Sequence, residues 1–111
     1  IISVNNMLRL ESTKRVWEYW HSCFARIYIE IYDDNVNTCI LTHLWVDEDQ
    51  RQKGYGKQVL AEAEEKAKEL GCSIIFLKVE SNSWMHKWYL RSGYLWHADT
   101  LDDYTWLIKC I

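Results

Sequence analysis

The stretch Asp47–Gly71, DEDQRQKGYGKQVLAEAEEKAKELG, decides the fold. Its middle, Arg51 to Lys57, places two glycines and three cations in seven residues, and a strongly helical run follows at once. A helix N-terminus carries four unpaired N–H groups and about half a positive charge from its dipole. Glycine ahead of it lets backbone approach a ligand without a Cβ in the way. Bases at that end oppose the dipole. Arg51, Lys53 and Lys57 therefore make physical sense with an anion such as phosphate at the helix mouth. A glycine turn capping a helix, with solvated lysines, is the plain alternative. Two nucleotide motifs fail. A P-loop needs a glycine where Arg51 stands and Ser or Thr where Gln58 stands, and a dinucleotide fingerprint would need a glycine at Val59.

Outward from this stretch the elements follow from periodicity. Val59, Leu60, Ala63, Ala67 and Leu70 form one stripe, so Lys57 to Leu70 is expected to be a helix that stops at Gly71. Glu62 with Lys66 and Glu64 with Lys68 have the spacing of supporting ion pairs. Upstream, Arg26 to Tyr32 alternates, with Ile27, Ile29 and Ile31 on one face, as in a half-buried strand. Asp33-Asp34-Asn35 supplies turn chemistry, and Val36 to Val46 reads as the return strand of an antiparallel hairpin. Thr13 to His21 fits a helix or a strand, and Met7 to Glu11 fits a short strand. Downstream, Ile74 to Val79 is an apolar run expected of a strand covered on both faces. Ser83 to Arg91 is expected to be a helix capped by Ser81 or Asn82 and stopped at Gly93. Tyr94 to His97 and Tyr104 to Cys110 are expected to be strands. The crossover from Thr38 to Val79 makes its two strands parallel. The fold class is therefore α/β or α+β, built on a mixed sheet.

Composition bounds the rest. A chain of 111 residues with 49% hydrophobic and 26% charged residues suits one globular domain. A net charge of −3 gives no general attraction to nucleic acid or an anionic membrane, so neither is expected as a partner. No apolar run is long enough for a membrane-spanning helix, and no signal-peptide pattern opens the sequence. Cys23, Cys39, Cys72 and Cys110 are too dispersed for a zinc motif, and no metal site is expected. Buried free thiols at Cys39 and Cys110 fit a cytoplasmic location. Seven Trp and seven Tyr exceed what a core of this size needs. Trp17, Tyr19 and Trp20 are candidates for a dimer patch, an acceptor wall or core; Trp84 and Trp88 are read mainly as core.

The segment Leu44–Leu60 resembles the acetyl-CoA-binding segment of the GNAT superfamily of N-acetyltransferases. Its motif, Arg/Gln-x-x-Gly-x-Gly/Ala, is met by Arg51, Gly54 and Gly56. A second block, LKVESNSWMHKWYLRSGY, resembles the later GNAT motif through Asn82, Tyr89, Gly93 and Tyr94. The resemblance covers residues 24–111; residues 1–23 match poorly. It implies a mostly antiparallel mixed sheet whose central parallel pair splays apart, with flanking helices and the thioester in the gap.

The same resemblance implies roles. Backbone across Gln52, Lys53, Gly54, Tyr55, Gly56 and Lys57, with Arg51, would hold the pyrophosphate of acetyl-CoA. Val46 would pair with the pantetheine arm, and a backbone N–H near it would face the oxyanion. Asn82 would hydrogen-bond the pantetheine, with Ser83 able to share that role. Tyr89 would protonate the departing thiolate. Ile40 stands where some members carry a catalytic Glu, which leaves Glu80 and His43 as base candidates beside a water relay. His86 shares a helix face with Tyr89 and is read as a packing residue or a proton relay. The implied activity is acetyl transfer from acetyl-CoA to an amine in a ternary complex. A non-catalytic acetyl-CoA-binding or protein-interaction module is the alternative. The short segment ahead of the hairpin implies an acceptor site that is open or completed by a second subunit, and a homodimer is expected.

Overall fold

A computed structural model describes residues 14–21, 23–32 and 37–111. The expected strand at Met7–Glu11 and the turn at Asp33–Asn35 lie outside them. The elements run β1 (Lys14–His21), β2 (Ala25–Tyr32), β3 (Thr38–Val46), a 3₁₀ turn (Glu48–Gln50), α1 (Tyr55–Glu69), β4 (Ile74–Glu80), α2 (Trp84–Arg91), β5 (Leu95–Asp99) and β6 (Tyr104–Cys110). The strands form one mixed sheet in the order β1-β2-β3-β4-β6-β5. β3 and β4 are parallel, and the other neighbours are antiparallel.

The ambiguous segment before residue 22 is a strand. β1 pairs along its whole length with β2, from Lys14 opposite Tyr32 to His21 opposite Ala25. Period 2 prevails because Trp17, Tyr19 and His21 are half-buried toward α1 while Val16, Glu18 and Trp20 face outward. In β2 the expected face is fully buried: Ala25, Ile27, Ile29 and Ile31 all lie in the core. They meet Val59, Leu60, Ala63 and Ala67 of α1 and Ile75, Leu77, Val79 and Leu107 of the later strands. Each fully buried Ile or Leu contributes about 1.5–3 kcal/mol.

Helix α1 ends as its sequence predicts. Gly71 has φ +94°, the Cys72 N–H reaches Ala67 O at 2.9 Å, and the Gly71 N–H reaches Lys68 O at 3.0 Å. These two bonds make a Schellman stop. The acids of α1 do not take the expected i,i+4 partners. Glu62 accepts hydrogen bonds from Tyr19 (2.9 Å) and pairs with His21 (3.0 Å). Glu64 accepts from Tyr94 (2.8 Å) and pairs with Lys109 (3.1 Å). Tertiary partners on β1 and β6 offer more desolvated contacts than a neighbouring lysine on the helix surface. Lys66 and Lys68 pair instead with Glu69 (3.7 Å) and Glu65 (3.4 Å).

Both helices pack on one face of the sheet. Consequently β4 is not covered on both faces as its apolar run suggests. Ile75, Leu77 and Val79 are buried, while Ile74 and Phe76 are half-buried and Lys78 is exposed. On that open face Phe76 meets the His97 ring at 5.1 Å, and Lys78 lies over Tyr104 and Trp106. None of the four cysteines forms a disulfide with another described residue. Cys39 and Cys72 are buried, and Cys110, expected inside, is exposed because it follows the open side at the end of β6. Among the described residues no helix is long and apolar enough to cross a membrane.

Candidate active site

The parallel pair opens where a ligand would have to enter. β3 and β4 pair only at Thr38–Ile74, Cys39–Ile75 and Ile40–Phe76. β3 then continues to Val46 and β4 to Glu80 with no pairing between them. The β4-facing edge of Leu41–Val46 therefore presents unpaired backbone N–H and C=O groups to the gap. A bulge accompanies the opening. Arg26 lies opposite Trp45 and Tyr28 opposite Thr42, so His43 and Leu44 share the single position Ile27, and His43 takes φ +57°. Such a bulge increases the strand's twist and turns it from its neighbour.

The glycine-rich loop meets β3 at this opening. Gln52 has φ +65° and Gly54 has φ +88°, and Gly54 is the N-cap of α1. Left-handed residues alternating with ordinary ones curl successive N–H groups into a concave anion nest. The first turn of α1 contains no acid. Arg51 bridges loop and strand: its Nε–H donates to Val46 O at 2.9 Å, and its guanidinium stacks over Trp45 at 4.9 Å. Lys53 Nζ donates to Gln50 Oε1 at 3.2 Å.

A cavity of about 700 Å³ occupies this junction. Val46, Arg51, Gln52, Gly54, Tyr55, Gly56 and Lys57, all expected at the donor site, line it. Its other lining residues are Leu44 and Trp45 of β3 and Trp84, Met85 and Trp88 of α2. These five were not assigned to the site from the sequence. The signal was present in part: Trp84 and Trp88 are one helical turn apart with Met85 between, a stripe equally suited to a cleft wall. Trp84 is 68% exposed and stacked on Trp88, with ring centroids 6.5 Å apart. Gly56 sits where a Cβ would approach Val46 Cγ2 at 3.7 Å and Trp88 at 3.8 Å.

The remaining expected residues, Lys53, Asn82, Tyr89, Glu80 and His43, are not on the cavity wall. Asn82, at the mouth of α2, has φ +63°, and its backbone N–H donates to His86 Nδ1 at 2.9 Å. That contact makes His86 Nδ1 an acceptor and gives the histidine a structural role at the turn. The cap of α2 is Ser83, not Ser81 or Asn82. Its Oγ accepts from His86 N at 3.1 Å and donates to Glu80 O at 2.6 Å, so Ser83 is committed to the turn. Ser81 instead meets Thr105 Oγ1 at 2.6 Å.

Tyr89 is the buried residue of α2. Its ring packs edge-on against Trp88 (5.1 Å) and Tyr94 (5.6 Å). Burial pushes its hydroxyl up to about 12. Desolvation is the only cause, with no hydrogen bond contributing. Glu80, at the end of β4, and His43, in the bulge, are both exposed. The His43 ring packs at a tilt, 5.2 Å from Tyr28 of the open face. No group of three or more His, Cys, Asp or Glu side chains among the described residues could hold a metal ion.

Known proteins share this fold. A model of the acetyltransferase (GNAT) family matches residues 14–94. An acetyltransferase from Bacillus cereus is 26% identical, with a TM-score of 0.70 over 89% of this chain and 74% of that one. The PaiA N-acetyltransferase from Thermoplasma acidophilum, solved with coenzyme A, is 26% identical with a TM-score of 0.69, over 79% of this chain and 54% of that one. A Bacillus subtilis acetyltransferase, also solved with CoA, is 22% identical with a TM-score of 0.69, over 88% and 77% of the two chains. No curated protein matches the chain by sequence. A family match across most of the chain, joined to a mixed sheet that opens at a glycine-rich helix mouth, places this chain in the GNAT family of acetyltransferases.

Proposed function

We propose that the protein transfers an acetyl group from acetyl-CoA to an amine by direct attack in a ternary complex. The observation that carries this reading is the meeting, in one cavity, of the splayed end of β3 with the nest and N-terminus of α1. In this reading the pyrophosphate rests on the N–H groups from Gln52 to Lys57, with Lys57 adding charge. Lys53 is near enough in sequence to add long-range attraction, although its ammonium is turned to Gln50. Pantetheine pairs along the open edge of β3 near Val46, and the Asn82 side chain, uncommitted among the described residues, closes over it. Arg51 serves by fixing Val46 and the loop together rather than by meeting phosphate.

The chemistry balances with these groups. The amine nitrogen forms a bond to the thioester carbon, the C–S bond breaks, and its electron pair goes to sulfur. The amine loses one proton and the thiolate gains one. Tyr89, kept protonated by burial, supplies the proton to sulfur, and a base or water relay on the open face, with Glu80 and His43 as candidates, removes the proton from the amine. Orientation of two substrates and charge stabilisation account for most of the acceleration. The reading also places the protein in the cytoplasm as a homodimer. Release of free CoA thiol with a panel of amines tests the activity. Amine-dependent release with the acetyl group recovered on nitrogen is expected; acetyl-CoA binding without transfer to any amine would favour a binding module.

A further inference from the structure

Three side chains on the open face of the sheet form a row beside the candidate site. Trp20 of β1 is paired with Arg26 of β2, and Arg26 is paired with Trp45 of β3. Direct partners share a face, so Arg26 stands between two tryptophans in the register. It lies 5.6 Å from the centroid of Trp20. Trp45 in turn is stacked by Arg51 and lines the cavity. Both tryptophans stay well exposed, at 47% and 44%.

Arg26 is the anomaly in this row. Its Nε is buried and, among the described residues, has no hydrogen-bond partner. Its charge partner, Glu18, is 3.9 Å away, too far for a hydrogen bond. Arg51, by contrast, spends its Nε–H on the Val46 carbonyl. A buried donor left without an acceptor is costly and needs an explanation. Donor chemistry occupies the helix face, where α1 and α2 wall the cavity. An amine attacking a thioester held in the gap must then come from the open face, where Arg26 lies.

We propose that Arg26, flanked by Trp20 and Trp45, recognises a carboxylate carried by the acceptor amine, so that the acceptor is an amino acid rather than a simple amine. This rests on the acetyl-transfer reading above. A guanidinium offers a planar fork matched to a carboxylate, which a phosphate, given Glu18 nearby, would find short of positive charge. Arg26 is one strand from β3, and strands lie about 4.8 Å apart. The carboxylate therefore sits roughly 5–10 Å from the gap, a separation spanned by extended γ- to ε-amino acids and not by α-amino acids. The indole faces would hold the carbon chain between the two ends.

The test compares acetyl-CoA-dependent thiol release on glycine, β-alanine, γ-aminobutyrate, 6-aminohexanoate and L-leucine with release on the amide of each. γ-Aminobutyrate or 6-aminohexanoate should exceed its amide by about tenfold or more in kcat/KM, since a site built to hydrogen-bond a group rejects the analogue lacking it, while glycine and L-leucine, too short to span the separation, should show no such preference. Arg26→Gln should bring that ratio down toward one by raising KM for the acid, with KM for acetyl-CoA unchanged. Arg26→Lys, which keeps the charge, should retain part of the preference and the melting temperature. Equal rates on acids and amides, or no acid turned over by a protein that binds acetyl-CoA and acetylates other amines, would overturn the proposal. An equal loss on acids and amides in Arg26→Gln would overturn it too, as a purely structural role. Failure to bind acetyl-CoA at all would instead sink the underlying acetyl-transfer reading.

Discussion

Ile40 and Phe76 are the last residues at which β3 and β4 face each other in the sheet. Beyond them the two strands run on separately, and every functional inference about this molecule depends on that parting. A parallel pair flanked by helices normally stays hydrogen-bonded, because unpaired backbone is costly away from water. An edge left open beside a glycine-rich helix mouth is where the proposed function seats another chain of amides, the pantetheine arm.

The loop gives the first prediction. A Cβ at Gly56 would meet its nearest neighbours at 3.7 Å or more, ordinary contact distance. Gly56→Ala, the alternative that the family motif admits, should fold with a melting temperature close to that of the unaltered protein and bind acetyl-CoA nearly as well. Gly56→Asp should instead set a carboxylate at the helix mouth against the ligand's phosphates. Calorimetry on that variant is expected to give a Kd at least tenfold higher, about 1.4 kcal/mol; unchanged affinity in a folded Gly56→Asp protein would take Gly56 out of the site. Gly54 differs, because φ +88° strains any side chain there whatever the free space.

Tyr89 gives the second. With desolvation alone acting on it and no hydrogen bond contributing, its hydroxyl adds little to stability, and Tyr89→Phe should melt within a few degrees of the parent. Turnover should drop by roughly 10²-fold at unchanged acetyl-CoA affinity. A fully active Tyr89→Phe protein would remove Tyr89 from the mechanism.

Burial of Tyr89 also sets a pH window. Its proton is held to about pH 12 in the folded state, against 10 in the free side chain. The native state thus binds more protons than the unfolded chain between those values, so this stabilisation is complete below pH 10 and is lost as pH rises toward 12. The rate profile should show no loss attributable to tyrosine ionisation at pH 10. Spectrophotometric titration at the tyrosinate band, comparing parent with Tyr89→Phe, checks the assignment; a phenol titrating near 10 that disappears in the variant would refute it.

Glu64 anchors α1 to β6 through Lys109 at 3.1 Å and to Tyr94 at 2.8 Å, with the Glu64 side chain only 15% exposed. Lys109→Met strands that carboxylate and also leaves the Ser92 carbonyl without its 3.2 Å donor. We expect a loss of about 2 kcal/mol and a melting temperature lower by roughly 10 °C. Denaturant melts measure it, and a neutral effect would mean that the pair offsets only its own desolvation.

The fold was largely legible because its signals are local. Ile27, Ile29 and Ile31 alternate cleanly, and the α1 stripe and its Gly71 stop appear in the structure as the sequence implies. What was not legible is tertiary. Nothing in the alternation at Thr13–His21 distinguishes strand from helix until β2 supplies a partner. The apolar run of β4 looks covered on both sides, yet only Ile75, Leu77 and Val79 meet helices. Glu62 and Glu64 have correctly spaced lysines on their own helix and choose partners on β1 and β6. At the site, the loop was readable from glycines and charges, whereas the walls were not: Leu44, Trp45 and Met85 carry no motif, and the bulge that puts His43 at positive φ has no sequence mark. Arg26 read as the polar face of a strand, and only register shows it between two indoles.

The most direct test of the central claim is a titration of CoA into isotopically labelled protein, followed by backbone amide resonances. The account predicts that the amides of Gln52 to Lys57 shift most, together with those of Leu44 to Val46 on the open edge of β3, while β1 and β5 stay nearly still. Shifts absent from both segments at saturating CoA, or concentrated elsewhere on the sheet, would contradict it.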